Sequence, residues 1–501
     1  MPLQKLSDFV RQTSRVQIKR PTGFHRLSLE NPFGLTVLIL FFGVVWLAHL
    51  SSVALTAPMD NIEQWVWSHS LQWGYHKHPP LPTWLLSWPQ KLSGATSMTS
   101  QILGALCTLT SALIFTNLIR QIWGARSAAI ALLAALCITF YNGRLNYYNH
   151  NVLLMLCVSL SVYCWWMILT TGRTRWWVGL GFSAGLGMLS KYQYALVLAP
   201  SAVMIWQLKP WHNKQHLKGI GWALVTATLL FLPHLLWLLQ QDMADSPIQY
   251  ALKTSLPDYS QNALPGPGRI RSGLWLLDLL FNRCLPAILF LLLVKPLRQA
   301  DITNSHATDH PDAGSRFLLT WGILPPLCIT LLGLVMGMDL QMQWGTAFAI
   351  WIVPPLMVLL KLHRANWPQK YTGVILVIFG LVQGMLMLHS YQTSAFGCCA
   401  NTGSTRWRLF NSTEIAKELE HSAGEAVGGR FRIIAGGTTT AGAIALAMKD
   451  HPKVLIDDNL KISPWIQAQE LQGPGVIRLW APNTGPETRT RLPSGWGWSL
   501  Y

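Results

Sequence analysis

The sequence predicts a polytopic α-helical membrane protein carrying a small α/β domain at its C-terminal end. Hydrophobic residues make up 51% of the 501-residue chain and charged residues only 12%, which is too apolar for a soluble protein. The apolar residues fall into blocks of roughly 15 to 23, enough for a helix to cross a hydrocarbon core of about 30 Å. After Tyr391 the blocks stop and the composition becomes that of a soluble domain.

The elements follow in order. Residues 1–31 hold six basic residues before Asn31 and read as a cytoplasmic arm lying against anionic headgroups. Residues 32–390 form the membrane domain, with about eleven spans near 33–55, 101–119, 127–141, 150–170, 176–190, 192–208, 219–239, 273–294, 317–337, 345–360 and 371–390. Those starting at 127 and 176 are short, and neighbouring helices would have to shield them. With the N-terminus inside, the inner segments hold nineteen Lys and Arg against eight in the outer loops between spans. That bias supports a cytoplasmic N-terminus and places the region after 390 outside. Two outer loops are long, 56–100 and 240–272, and the second has the length of a lid. Tryptophans in the first loop, such as Trp65, Trp67, Trp84 and Trp88, suit a membrane interface, where the ring is buried and the N–H stays wet.

Residues 391–501 read as an extracytoplasmic α/β domain, with strands at 431–435 and 454–456 flanking a helix at 439–449. Gly436-Gly437-Thr438 matches neither nucleotide fingerprint and reads as a strand-to-helix turn. Asn411-Ser412-Thr413 fits the glycosylation pattern, which is common by chance. Cys284 and the Cys398-Cys399 pair are placed near the outer surface, where a disulfide could join them, and the other cysteines lie in spans as small apolar residues. His306 and His310 of an inner loop read as part of a solvated connector. The formal charge of +17 is scattered over short loops and forms no stripe for a nucleic-acid backbone, so no nucleic-acid partner is expected.

The titratable residues concentrate after the first span. Asp60 follows Ala57-Pro58-Met59 at the membrane boundary and could act as a general base, or cap the helix that begins there. Glu63, one turn on, could share the site. Tyr75 precedes His76, Lys77 and His78, and Pro79-Pro80 stiffen the backbone behind them, so a cation is held in place where it could neutralise a leaving phosphate. Two histidines beside Asp60 could also ligate a divalent ion. Lys191, followed by Tyr192, stands at the outer end of a span, and a charge there needs a partner such as a phosphate anion. Arg269 and Arg271 could grip phosphate bidentately. Asn149 and Asn151, with Asn146 and His150, form a polar cluster that could bind a sugar or cap a helix.

Several of these residues occur as ordered motifs: Asp60 after the first span, Gly74-Tyr75, His78-Pro79-Pro80-Leu81, Asn149-His150-Asn151-Val152-Leu153-Leu154, Gly185-Leu186-Gly187-Met188-Leu189-Ser190-Lys191-Tyr192 and Pro233-His234-Leu235-Leu236-Trp237. Together they resemble bacterial family 39 glycosyltransferases, which are similar to protein O-mannosyltransferases and the lipid A aminoarabinose transferase. The resemblance covers about 30–390 and implies the C-type membrane glycosyltransferase fold with an outer soluble domain, in the inner membrane of a bacterium. It implies that an acceptor hydroxyl of a lipid, glycan or protein attacks a sugar on a polyprenyl-phosphate donor, with inversion. Asp60 would be the base, with Lys77 or His78, Lys191 and Arg269 holding the lipid phosphate. Many family members carry an Asp-Glu doublet where this chain has Asp60-Asn61, so a second acid would come from Glu63 or be absent, and the resemblance leaves a metal role open.

Two other classes compete. A transporter or flippase for a lipid-linked sugar calls for midplane charges, broken helices and internal repeats; few midplane charges and no evident repeat are found. An anchoring protein would depend on residues 400–501 and tolerate change at Asp60 and Lys191.

Overall fold

The computed structural model describes residues 31–94, 96–242, 246–255, 266–299, 312–400 and 406–501. The basic arm before residue 31, the centre of the 240–272 loop with Asp245 and Asp258, and His306 and His310 lie outside the described residues.

The chain begins with α1 (Pro32–Ser52), which Asn31 caps by accepting the Phe33 N–H at 3.1 Å. Two short helices, α2 (Met59–Trp67) and α3 (Leu81–Ser93), occupy the first long loop. The bundle continues with α4 (Ser97–Trp123), α5 (Ala125–Leu136), α6 (His150–Thr171), α7 (Thr174–Ser190), α8 (Leu198–Leu208) and α9 (Lys214–Leu239). Beyond it come α10 (Pro247–Ser255), α11 (Gly266–Gly273), α12 (Trp275–Leu297), α13 (Ala313–Met336), α14 (Ala349–Leu359) and α15 (Gln369–Gln392).

Seven helices among the described residues, α1, α4, α6, α9, α12, α13 and α15, are long and apolar enough to cross a membrane. The remaining expected spans, at 127–141, 176–190, 192–208 and 345–360, are the shorter helices α5, α7, α8 and α14. In α5 every residue from Ser127 to Leu136 is buried, so protein rather than lipid surrounds it and full membrane thickness is not required. The segment leading into α8 is spent on a 3₁₀ turn, Tyr192–Val197. By contrast α9 faces outward along most of its length, with only Gly219 and His234 buried, the distribution expected of a lipid-facing helix.

The C-terminal domain comprises α16 (Ser412–Ala423), β1 (Ile433–Gly436), α17 (Thr438–Ala447), β2 (Lys453–Ile456), β3 (Val476–Trp480), β4 (Thr490–Arg491) and β5 (Gly497–Leu500). Its sheet runs β2-β1-β3-β5-β4, parallel between β1 and both its neighbours and antiparallel beyond β3. The turn at 436–438 starts α17, as the sequence suggests. Asn411 accepts the Glu414 N–H at 3.2 Å and donates to the Glu414 carboxylate at 2.7 Å, so its amide serves as a helix cap. Cys284 is buried while Cys398 and Cys399 are exposed, and their sulfurs lie 2.9 Å apart as free thiols.

Helix α2 joins the two halves. Ile62, Trp65, Val66 and Trp67 are buried in the core of the C-terminal domain, so Trp65 and Trp67 do not lie in a membrane interface; the domain covers them. Trp88 is exposed. The approach is close because α17 presents Gly442, where a Cβ would meet Ile62 at 2.7 Å and Val66 at 2.8 Å. On its other face α2 is tied to the bundle. Asn61 donates to Ser100 Oγ at 3.0 Å and to the Asn146 carbonyl at 2.9 Å, and accepts the Tyr148 N–H at 2.8 Å. Thr83 Oγ1 donates to Gln64 Oε1 at 2.7 Å, which fastens α3 to α2.

The 142–148 segment can reach Asn61 because Gly104 of α4 leaves room for it; a Cβ there would stand 2.1 Å from the Tyr147 carbonyl. Backbone cannot yield as a side-chain tip can, so overpacking at this position costs about 1–3 kcal/mol. Gly104→Ala is therefore expected to lower the thermal unfolding midpoint in detergent micelles. Gly373→Ala, where the added Cβ has nothing within 4 Å, should leave it in place, and equal midpoints for the two variants would contradict the close approach.

Candidate active site

Helix α2 starts at Met59, with Pro58 at the cap position and no side chain closing the end. Asp60 is thus within the first turn and is not the cap. Its negative charge still favours that end of the helix, and its carboxylate is free to bond elsewhere: Asp60 Oδ2 accepts Asn149 Nδ2 at 2.6 Å. Asn149 itself caps α6, its Oδ1 receiving the N–H groups of Asn151 and Val152 at 3.0 Å. Both roles the sequence leaves open for Asn149, cap and polar contact, are used at once by its two amide ends.

Asn151 extends the chain of contacts. Its Oδ1 accepts Lys191 Nζ at 2.7 Å. The Lys191 ammonium also lies 5.5 Å from the Trp344 ring centre and has no carboxylate in ion-pair range among the described residues. Desolvation pushes this amine down to about 7, with the Asp60 charge pulling the other way. Asp60 and Lys191 therefore face the same polar rim, bridged by two asparagines at the start of one helix.

Lys77 is differently placed. It donates to Glu63 Oε1 at 2.6 Å, and Glu63 is nearly inaccessible. Burial works against the Lys77 charge, but the Glu63 carboxylate outweighs it and holds the amine above its ordinary value. Burial raises the Glu63 carboxyl in turn, with Lys77 opposing. The Lys77 ammonium sits 5.7 Å from the Tyr250 ring centre. Glu63 and Lys77 thus form an internal ion pair, which leaves Lys191 as the cation with unspent charge.

His78 packs against His150 with ring centres 3.8 Å apart and ring planes tilted by 40°. Burial, then Lys191 and Lys77, lower the His78 pKa well below the ordinary imidazole value; burial and Lys77 bring His76 to about 4. At neutral pH both rings are uncharged, so the cationic work falls to the lysines. Among the described residues no three His, Cys, Asp or Glu side chains are grouped so that they could hold a metal ion. The divalent-ion arrangement is not formed here.

Tyr75 stacks on Trp67 with ring centres 5.0 Å apart and donates to the Ser70 carbonyl at 2.7 Å. It is a buried brace for the 74–80 turn, which closes where the Tyr75 N–H meets the His78 carbonyl at 3.1 Å. Tyr192 OH shares a hydrogen bond with His234 Nε2 at 2.8 Å, and His234 Nδ1 meets the Trp73 carbonyl at 2.5 Å. His234 so links α9 to both the 74–80 turn and the Lys191-Tyr192 junction. Arg269 and Arg271 are not brought into this cluster: both are exposed on α11 and donate no hydrogen bond to a described site residue.

Tyr250 and Trp344 are contributors that sequence reasoning passed over; nothing local marks them, and they arrive from distant segments, whereas His150 already belongs to the polar cluster that the sequence groups with the asparagines. On the other side of α2 lies an apolar cavity of about 310 Å³, lined by Thr56, Met59, Ile62, Trp407, Phe410 and Thr440 among others.

Residues 77–237 match the dolichyl-phosphate-mannose-protein mannosyltransferase family, a stretch that includes Lys77, His78, Asn149, Asn151, Lys191 and His234. The chain is similar to undecaprenyl phosphate-alpha-4-amino-4-deoxy-L-arabinose arabinosyl transferase 2 of Pseudomonas fluorescens, 28% identical over 39% of this chain and 40% of that protein. It is also similar to the lipid A galacturonosyltransferase RgtD of Rhizobium johnstonii, 22% identical over 37% of this chain and 39% of that one. The match thus spans about two fifths of the length of these curated relatives. The crystal structure of ArnT from Cupriavidus metallidurans bound to undecaprenyl phosphate superposes with a TM-score of 0.61 at 13% identity, covering 93% of this chain and 97% of ArnT. In fold over nearly its whole length, and in sequence over residues 77–237, this chain resembles the family 39 C-type membrane glycosyltransferases.

Proposed function

We propose that this protein is an inverting glycosyltransferase that moves a hexose or pentose from a polyprenyl-phosphate donor to a hydroxyl on a lipid, glycan or protein acceptor. The observation that carries the reading is the joining of Asp60 to Lys191 through Asn149 and Asn151 on one polar rim. A base and a phosphate-binding cation are the two groups that such a transfer requires. The relatives named as arabinosyl and galacturonosyl transferases, and the solved relative bound to undecaprenyl phosphate, support the substrate class.

In this reaction the acceptor hydroxyl attacks the anomeric carbon and Asp60 takes its proton. The bond from that carbon to the phosphate oxygen breaks, and polyprenyl phosphate leaves with the electron pair. Lys191 faces the phosphate and stabilises the charge that develops on it; the Lys77–Glu63 pair holds the 74–80 turn in place with one ammonium edge left to the ligand. Asn149 orients the Asp60 carboxylate. We place the membrane domain in a bacterial inner membrane with the N-terminus cytoplasmic and the C-terminal domain and site periplasmic, a topology supported by the bias of Lys and Arg toward the inner segments.

Removing a positioned base slows transfer by about 10²- to 10⁴-fold. Asp60→Asn should therefore abolish measurable sugar transfer from a polyprenyl-phosphate donor while its unfolding midpoint stays near that of the parent, and near-normal turnover would refute the role of Asp60.

Lys191 generates a pH dependence. An amine at about 7 is charged below that pH and neutral above it, so its attraction for a phosphate is full at pH 6 and fades as the pH rises. Binding of undecaprenyl phosphate to the purified protein should weaken by roughly tenfold or more between pH 6 and pH 9. Lys191→Arg, which stays charged, should flatten the profile; an unchanged slope in that variant would assign the titration to another group.

A further inference from the structure

We propose that Arg144, Arg283 and Arg408 form a second anion site, which takes the phosphorylated headgroup of a membrane-embedded acceptor. That an anion binds there stands on the cluster itself; that it is the acceptor rests on the transfer reaction proposed above.

The three guanidinium groups come from separate elements and converge on the 140–147 segment. Arg144 lies 5.3 Å from the Tyr147 ring centre and 6.0 Å from that of Phe140. Arg283, from α12, lies 5.2 Å from the same Phe140 ring. Arg408, which precedes α16 and is buried, donates to the Gly143 carbonyl at 3.0 Å and to Ser390 Oγ at 3.4 Å. The positive charges repel one another, Arg144 acting on both of the others.

No carboxylate pairs with them, although the Asp278 charge partly offsets the burial of Arg283. Among the described residues none of the three arginines forms an ion pair, and the side chains of Arg144 and Arg283 donate no hydrogen bond to a described residue. Arg283 Nε is buried without a partner, and so is the hydroxyl of Thr139, whose N–H donates to the Arg283 carbonyl at 3.0 Å. Asp278, on the same helix, is exposed and engaged with Asn282. Aromatic rings stabilise a cation by less than a desolvated anion does, and a partly buried charge calls for a partner. Planar guanidinium groups with free donors suit a phosphate, which accepts two bonds from each.

Position identifies the ligand as the acceptor. The 142–148 segment is the one bonded to Asn61, the neighbour of Asp60. Trp407, adjacent to Arg408, donates to Tyr147 OH at 3.1 Å and lines the apolar cavity together with Met59 and Ile62. A phosphate among the arginines and an apolar portion in that cavity would place an amphiphile along α2, against Met59, the neighbour of Asp60. Lys77 and Lys191, in contrast, come from the 74–80 turn and the end of α7.

The test uses the purified full-length protein in detergent micelles, with short-chain phosphatidic acid, inorganic phosphate and undecaprenyl phosphate as probes in native mass spectrometry. The parent should bind phosphatidic acid and undecaprenyl phosphate together. The double variant Arg144→Gln/Arg283→Gln should lose roughly tenfold or more in phosphatidic acid affinity and stay within about twofold for undecaprenyl phosphate, which also reports that the variant is folded; Arg144→Lys/Arg283→Lys should keep much of the binding. Unchanged phosphatidic acid affinity in the glutamine variant, or mutual exclusion of the two lipids in the parent, would overturn the second site. Inorganic phosphate binding as tightly as phosphatidic acid would overturn its assignment to a lipid. If the parent fails to bind undecaprenyl phosphate, the transfer reading falls, while the phosphatidic acid result still judges the arginine cluster.

Discussion

The burial of α2 on both of its faces is the constraint on which the rest of the structure depends. A nine-residue helix has little stability of its own, and tertiary contacts must hold it. Its apolar face enters the C-terminal core through Ile62, Trp65, Val66 and Trp67, and its polar face is bonded to the bundle through Asn61 and to α3 through Gln64. Asp60 occupies the first turn of this helix, so the position of its carboxylate is set by both halves of the molecule together. The C-terminal domain is therefore part of the site's support and no mere appendage.

Charge is distributed unevenly around that helix. Glu63 and Lys77 neutralise each other across 2.6 Å, while Lys191 has neutral asparagine and an aromatic face for company. An ion pair in a partly buried setting stabilises geometry more than it stores reactivity; an unpaired ammonium near 7 is the reverse, poorly solvated and ready for an anion. The same logic marks the arginines, where guanidinium groups gather without an ion-paired carboxylate among the described residues.

Much of the architecture was legible because it follows from hydropathy and chain length. The long apolar blocks became α1, α4, α6, α9, α12, α13 and α15, and the change of composition after Tyr391 coincides with the small sheet domain. The shorter helices were harder to read, since α5 is encased by protein and a hydropathy count assumes lipid around every apolar run. In the site, Asp60, Asn149, Asn151, Lys191 and Lys77 stood out as polar groups in an apolar setting; the first four are joined by hydrogen bonds, and Lys77 pairs with Glu63. Arg269 and Arg271 stood out for the same reason and lie elsewhere, because a cation's presence in a loop does not say where the loop goes.

What the sequence alone determined was the membrane class, the small C-terminal domain and the set of titratable residues, each of which depends on composition and spacing along the chain. Which of those residues share a site was decided only by tertiary structure. Asp60 acquires its asparagine partner from the start of α6, Lys77 of the 74–80 turn finds Glu63 on α2, and the three arginines gather from segments more than a hundred positions apart. Such contacts arise from how helices pack and where glycines such as Gly104 and Gly442 let backbones approach, and that packing leaves no periodic trace in the chain.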